Sequence, residues 1–224
     1  MSKDRMGVLA ALMDQGVIPV FYHKDPEVCI KVIEACSAGG AKCIEFTNRG
    51  DYASYTFLDV ARHFDKADPS VIMGVGSIVD APTAGLYIAN GAKFIVGPIL
   101  NADVAKVCNR RKIAYSPGCG SASEISYAEE LGCEIVKVFP GTQVGGPEFV
   151  KSVLGPMPWT RIMPTGGVDP DEASVKAWFS AGIVAAGMGS KLITKEALDA
   201  QDYKGIENKV RETIALIKKY KKVY

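Results

Sequence analysis

The chain of 224 residues lacks the features that would place it in several large classes of protein. No window approaches ~18 consecutive apolar residues, so no transmembrane helix is expected. The N-terminal MSKDRMGVLAALMDQG has charges followed by only a short apolar stretch, without a small-residue cleavage site, so no targeting segment is expected and the chain reads as cytoplasmic. Net charge is almost absent: 26 Lys+Arg oppose 25 Asp+Glu, and a balance of +1 creates no field to gather nucleic acid or an anionic membrane. Any anion must therefore be bound by a local site. Lysines do gather in KKYKK (218–222), but basic residues at a helix end are favoured by its dipole, so this run implies no nucleic-acid partner. Six cysteines contain no C-x-x-C pair, and in a chain with this much apolar residue they read as free buried thiols rather than a disulfide framework. The two histidines, His23 and His63, belong to no ligand-spaced cluster, so nothing in the sequence asks for a metal.

What is present is a repeated short apolar run followed by a helical stretch. The runs are VIPVFY (17–22), KCIEFT (42–47), VIMGVG (71–76), KFIVG (93–97), IAYSPG (113–118), EIVKVF (134–139), RIMPTGG (161–167) and IVAAGMG (183–189). Between them lie helix signals. Pro26 opens a stretch that ends at Gly39-Gly40, Asp80 precedes one stopped by Asn90-Gly91, and Ser121 or Ser123 caps one that runs to Leu131-Gly132. A last helix near Tyr203–Tyr220 places Ile206, Val210, Ile214 and Ile217 on one stripe, and an opening helix ends at Gly16. Strands alternating with helices argue for a parallel sheet covered by helices. Eight of each is the count of a (β/α)₈ TIM barrel, here a single domain over 1–224 with an extra N-terminal helix. An open doubly wound sheet is the competitor, weakened because no strand is followed by G-x-G-x-x-G.

In a barrel the chemistry sits at the C-terminal ends of the strands. Period-two alternation in EIVKVF puts Ile135, Lys137 and Phe139 on one face, and in KCIEFT it puts Cys43, Glu45 and Thr47 on one face. A lysine surrounded by apolar groups loses charge and becomes a nucleophile toward ketones, although a snorkelling lysine has the same local pattern. An inward Glu45 is the proton carrier that iminium chemistry needs, or else an ion-pair partner of Arg49 or Lys137. Arg49 offers a planar fork to a carboxylate. Two glycine-rich strand ends, PTGGV (164–168) and GMGSK (187–191), fall where barrels hold phosphate, and glycine is equally the ordinary residue of tight turns.

Together these blocks resemble the 2-keto-3-deoxy-6-phosphogluconate (KDPG) aldolase family, which includes 4-hydroxy-2-oxoglutarate aldolases. GGAKCIEFTNR (39–49), MGVGSIVDA (73–81), VKVFPG (136–141), MPTGGV (163–168) and GMGS (187–190) carry the resemblance over nearly the whole chain. It implies a class I aldolase, with Lys137 as the Schiff-base lysine, Glu45 as general acid/base and Arg49 holding the pyruvate-derived carboxylate. It further places Ser77, Pro98, Phe139 and Thr165 in the substrate pocket and assigns phosphate to Gly166, Gly167, Gly189 and Ser190. The implied substrate is a phosphorylated 2-keto-3-deoxy sugar acid giving pyruvate and glyceraldehyde 3-phosphate, in a homotrimer without metal or organic cofactor. Three positions depart from the family pattern: Ser77 stands for a threonine, Gly97-Pro98 for Ser-Pro, and Tyr22 for a basic residue of the first strand. The C4 epimer of KDPG and unphosphorylated 4-hydroxy-2-oxoglutarate remain open as substrates. A phosphosugar isomerase or epimerase and a non-catalytic sugar-phosphate-binding barrel remain open as other classes.

Overall fold

The structure is a computed structural model that describes residues 4–221. Each of the eight apolar runs contains a strand: β1 (Val17–Phe21), β2 (Cys43–Thr47), β3 (Ile72–Gly76), β4 (Phe94–Val96), β5 (Ala114–Ser116) with β6 (Gly118–Cys119), β7 (Val136–Val138), β8 (Ile162–Pro164) and β9 (Ala186–Met188). The fifth run yields two strands because Pro117 interrupts it. Proline has no N–H to give a ladder, and here its carbonyl instead accepts the Lys137 N–H at 2.9 Å.

All pairings are parallel, in a six-stranded sheet of order β5-β4-β3-β2-β1-β9 and a three-stranded sheet of order β6-β7-β8. A bridge between Thr165 and Gly187 connects the β8 end to β9. The helices are α1 (Arg5–Gln15), α2 (Pro26–Ala38), α3 (Ala53–Ala67), α4 (Ala81–Ala89), α5 (Ala102–Arg111), α6 (Ala122–Glu130), α7 (Gly146–Leu154), α8 (Glu172–Ala181), α9 (Lys195–Asp199) and α10 (Tyr203–Tyr220). Asp25, Asp80 and Ser121 cap α2, α4 and α6, each side chain accepting a backbone N–H of the first turn. The short α9 is the one element that the pattern of apolar runs does not announce. Of the KKYKK run, Lys218 and Lys219 lie in the last turn of α10, whereas residue 222 lies outside the described residues.

Alternation sorts the strand residues into two cores. Ile44 and Phe46 of β2, with Val136 and Val138 of β7, pack outward with the helices. Ile18, Cys43, Ile72, Phe94, Ile135 and Met163 form an inner cluster. Val8, Leu9 and Leu12 of α1 belong to that inner cluster, so this helix packs against the inward-facing side chains at the start of the strands. Gln15 fastens it: its side-chain oxygen accepts the N–H of Lys42 and of Cys43, at 2.6 and 2.8 Å. All six cysteines are buried thiols, and burial pushes Cys36 up to about 12. Among the described residues no helix is long and apolar enough to cross a membrane.

Candidate active site

The inner face of β3 makes room for a carboxylate. A Cβ at Gly74 would meet the Phe94 ring at 2.3 Å, and one at Gly76 would meet Glu45 Oε1 at 1.8 Å. Glycine at both positions lets Phe94 fill the lower layer and Glu45 the upper one. Glu45 is 2% exposed, and its Oε2 accepts no hydrogen bond from the described residues. An acceptor left bare in the interior destabilises the charged form. Burial accordingly raises the Glu45 pKa above the ordinary carboxylate value, with Lys137 and Arg49 pulling it back.

Lys137 lies on β7, paired with β8 next to the β8–β9 bridge, 5% exposed, on the face that carries Ile135. Its ammonium sits 4.7 Å from the centroid of the Phe139 ring. Burial lowers its pKa, Glu45 opposes that shift, and Arg49 adds to it. Burial thus shifts both members of the pair towards their neutral forms. A neutral amine is a nucleophile and a neutral acid is a proton donor.

A cavity of about 500 Å³ opens at the same end of the strands. Arg49, Phe139 and Thr165 line it, as do the backbones of Gly166, Gly167 and Gly189, and Ser190. Arg49 stands on the β2–α3 loop and makes a long Nε–H contact of 3.4 Å to Ser77 Oγ. Beneath that loop the buried Tyr87 hydroxyl donates to Asn48 Oδ1 at 2.8 Å. Ser77 itself has a positive φ of 62°, which places its hydroxyl beside Arg49 rather than in the cavity wall. Thr165 Oγ1 is buried without a partner, close under Gly187, where a Cβ would approach it to 2.4 Å.

The glycine loop after β8 is tied down from three sides. The Gly141 and Thr142 N–H groups donate to the Thr165 and Gly166 carbonyls at 2.9 and 3.2 Å, and Trp178 Nε1–H donates to the Gly167 carbonyl at 3.0 Å. Gly166 and Gly167 both take positive φ, 89° and 81°, which glycine adopts without steric cost. Pro98 stands apart from this wall: it follows β4, and its carbonyl packs against Gly118, where a Cβ would come within 2.2 Å.

Comparison with known proteins bears directly on this arrangement. The model of a family described as KDPG and KHG aldolase matches residues 8–209. The chain belongs to the KDPG and KHG aldolase family. A 2-dehydro-3-deoxy-phosphogluconate aldolase of Pseudoalteromonas atlantica is 30% identical over 91% of this chain and 93% of its own. The KHG/KDPG aldolase of Escherichia coli is 29% identical over 88% and 90%. Among solved structures, KDPG aldolase from Legionella pneumophila, with pyruvate captured as a covalent carbinolamine, superposes with a TM-score of 0.83. It is 25% identical, covering 93% of this chain and 97% of that one. The Zymomonas mobilis KDPG aldolase with 3-phosphoglycerate gives a TM-score of 0.82 at 26% identity, over 93% and 95%. The protein is therefore an aldolase with the parallel α/β architecture of its relatives.

The cavity of this aldolase also contains side chains that the sequence motifs left out. Val20 and Tyr22 reach it from the β1 end, and Thr47 from the β2 end. Asp169, Lys191 and Lys195 bring charge to it. Thr47 was readable, since it shares the inward face of Cys43 and Glu45. Lys195 was not, because α9 has no apolar periodicity to mark it, and Lys191 was visible in GMGSK without a role. Among the described residues no cluster of three His, Cys, Asp or Glu side chains is placed to hold a metal.

Proposed function

We propose that this family member is a class I aldolase that cleaves 2-keto-3-deoxy-6-phosphogluconate to pyruvate and glyceraldehyde 3-phosphate. The observation that carries the proposal is the burial of Lys137 and Glu45 on inward-facing strand positions at the strand ends where Arg49 lines the cavity.

The Lys137 amine attacks the C2 ketone of the substrate, and the carbinolamine, its hydroxyl protonated by Glu45, loses water to form an iminium and leave Glu45 as the carboxylate. Glu45, as the carboxylate, takes the proton of the C4 hydroxyl. The C3–C4 bond then breaks, its electron pair moving into the iminium to give an enamine, and the aldehyde departs. The protonated Glu45 returns its proton to C3, water adds to the iminium as its proton passes back to Glu45, and the carbinolamine collapses to pyruvate with the Lys137 amine restored. Arg49 holds the substrate carboxylate in bidentate fashion, with Thr165 Oγ1 as a second donor. Phe139 covers the iminium and limits water access, and Ser77 steadies Arg49. Pro98 lies behind this wall as a backbone support. Gly166, Gly167, Gly189 and Ser190 hold the phosphate through backbone N–H groups and a hydroxyl.

The same reading treats the two sheets as one closed (β/α)₈ barrel in a single domain, with β5 and β6 as one strand bent at Pro117 and α1 added ahead of it. The reading extends to a homotrimer, on the resemblance to the family, and light scattering tests that assembly. Its chemistry is tested by incubation with pyruvate and borohydride, followed by peptide mass mapping, with Lys137→Ala in parallel. A reduced pyruvate adduct on Lys137, absent from the variant, is expected. A folded, pyruvate-saturated protein without an adduct overturns the Schiff-base mechanism.

A further inference from the structure

The glycine-rich loops bring no net charge to the phosphate end of the cavity, yet two ammonium groups line it. Lys191 directly follows Ser190, and Lys195 is the first residue of α9. The turn that carries Lys191 is fixed in place, because the Leu192 and Ile193 N–H groups both donate to the Gly189 carbonyl, at 2.8 and 3.0 Å. Leu192 and Ile193 are themselves buried, 1% and 4% exposed, so the backbone on one side of Lys191 is anchored in the core.

Lys195 is placed where a helix gains nothing from it. A cation in the first turn opposes the helix dipole. Its partner is Asp199, one turn on, in the Lys-before-acid order that is the weaker of the two i,i+4 arrangements. Both members of this pair are well exposed, so it holds Lys195 only loosely. Around the cavity, Arg49, Lys191 and Lys195 face a single lining carboxylate, Asp169. Two excess positive charges thus meet at one cavity on a chain whose net charge is only +1.

We propose that Lys191 and Lys195 are specificity-determining cations that select substrates ending in phosphate over the same acids without it. This rests on the aldolase reading above and adds two residues to it. On binding, the phosphate draws Lys195 from Asp199, and Lys191 closes on the same oxygens from the Ser190 side. A charge-assisted contact of this kind requires only a modest swing of each flexible stem.

The test measures kcat and KM of wild type, Lys191→Ala, Lys195→Ala and the double variant on 2-keto-3-deoxy-6-phosphogluconate and on 2-keto-3-deoxygluconate. The wild type is expected to prefer the phosphorylated acid. Each alanine is expected to reduce that preference about tenfold, through KM, as loss of one charge-assisted contact does. The series Lys195→Gln, Lys195→Glu keeps a long side chain on the exposed helix, and the preference is expected to fall in that order. A preference unchanged in all variants, or an equal loss on both substrates, overturns the proposal. Pyruvate trapping on the wild type separates the two readings. Trapping without any preference for phosphate removes the lysine proposal alone, and failure to trap removes the aldolase mechanism beneath it.

Discussion

Gly76→Ala is the substitution whose consequence the structure specifies most sharply. The added Cβ would lie 1.8 Å from Glu45 Oε1, 2.6 Å from its Cδ and 3.1 Å from its Cγ. Ordinary contact needs about 3.5 Å, so the carboxyl group must retreat by more than an ångström from its place beside Lys137. Gly76 is not among the positive-φ residues, so its backbone accepts alanine and the penalty is one of packing alone. Overpacking of this kind costs about 1–3 kcal/mol of stability. The catalytic loss is expected to be larger in proportion. A general acid/base contributes about 10²–10⁴ in rate, and a displacement near 1 Å can cost about a hundredfold. Steady-state cleavage should therefore show kcat down by about a hundredfold, with urea unfolding showing the smaller stability loss. Shortening the displaced side chain relieves the clash, so Glu45→Asp in the Gly76→Ala background should recover part of the stability while lowering activity when made alone. A Gly76→Ala variant with kcat within about threefold of wild type would refute the assignment of Glu45 as the proton carrier from this position.

The pH dependence has a definite sign. On the proposed mechanism only the unprotonated Lys137 amine attacks, so kcat/KM rises with pH through the Lys137 pKa, which burial sets below the usual lysine value of about 10.4. Glu45 opposes that lowering, so in Glu45→Gln the acid limb measured by the rate of pyruvate trapping should move to lower pH. A limb that stays in place would show that the two groups do not interact. Gly167→Ala puts a side chain at φ 81° and its Cβ 1.5 Å from Thr142 Oγ1, so thermal unfolding should show a loss of about 1–3 kcal/mol. Thr142→Ala should return part of that loss, and a variant as stable as wild type would mean that the loop readily adopts another shape.

The eight strand-bearing runs were legible because each is a short apolar run between turn signals, and a strand buried on both faces has no other way to be written. Lys137 and Glu45 stood out for the same reason: a charged residue at an inward register is an anomaly in such a run. The bend at Pro117 was visible as a proline inside IAYSPG but has meaning only with its neighbours in place. Ser121 rather than Ser123 caps α6, a choice between adjacent serines that periodicity alone does not make. Pro98 was placed by resemblance, and its position behind the wall depends on how β4 meets β6, which no local pattern encodes. Lys195 was hidden because a five-residue helix has too few turns to show a face, while Lys191 was visible in GMGSK but given no role. The role of Gly74 and Gly76 was also hidden: their spacing marks the inner side of β3, but what occupies the space they leave comes from β4 and β2.

The helix at the start of the chain has a kinetic consequence. Val8, Leu9 and Leu12 of α1 pack among the inward side chains at the beginning of the strands, while the cavity lined by Arg49 and Phe139 lies at their opposite ends, so the proposed mechanism brings substrate to Lys137 from the cavity side. In that mechanism a three-carbon fragment held covalently on Lys137 lies behind whatever occupies the cavity. The aldehyde must leave first and pyruvate second, and in the synthetic direction pyruvate must enter before the aldehyde can follow. On the proposed mechanism, the order of release depends in part on an α1 stripe packed at the far end of the strands from the cavity.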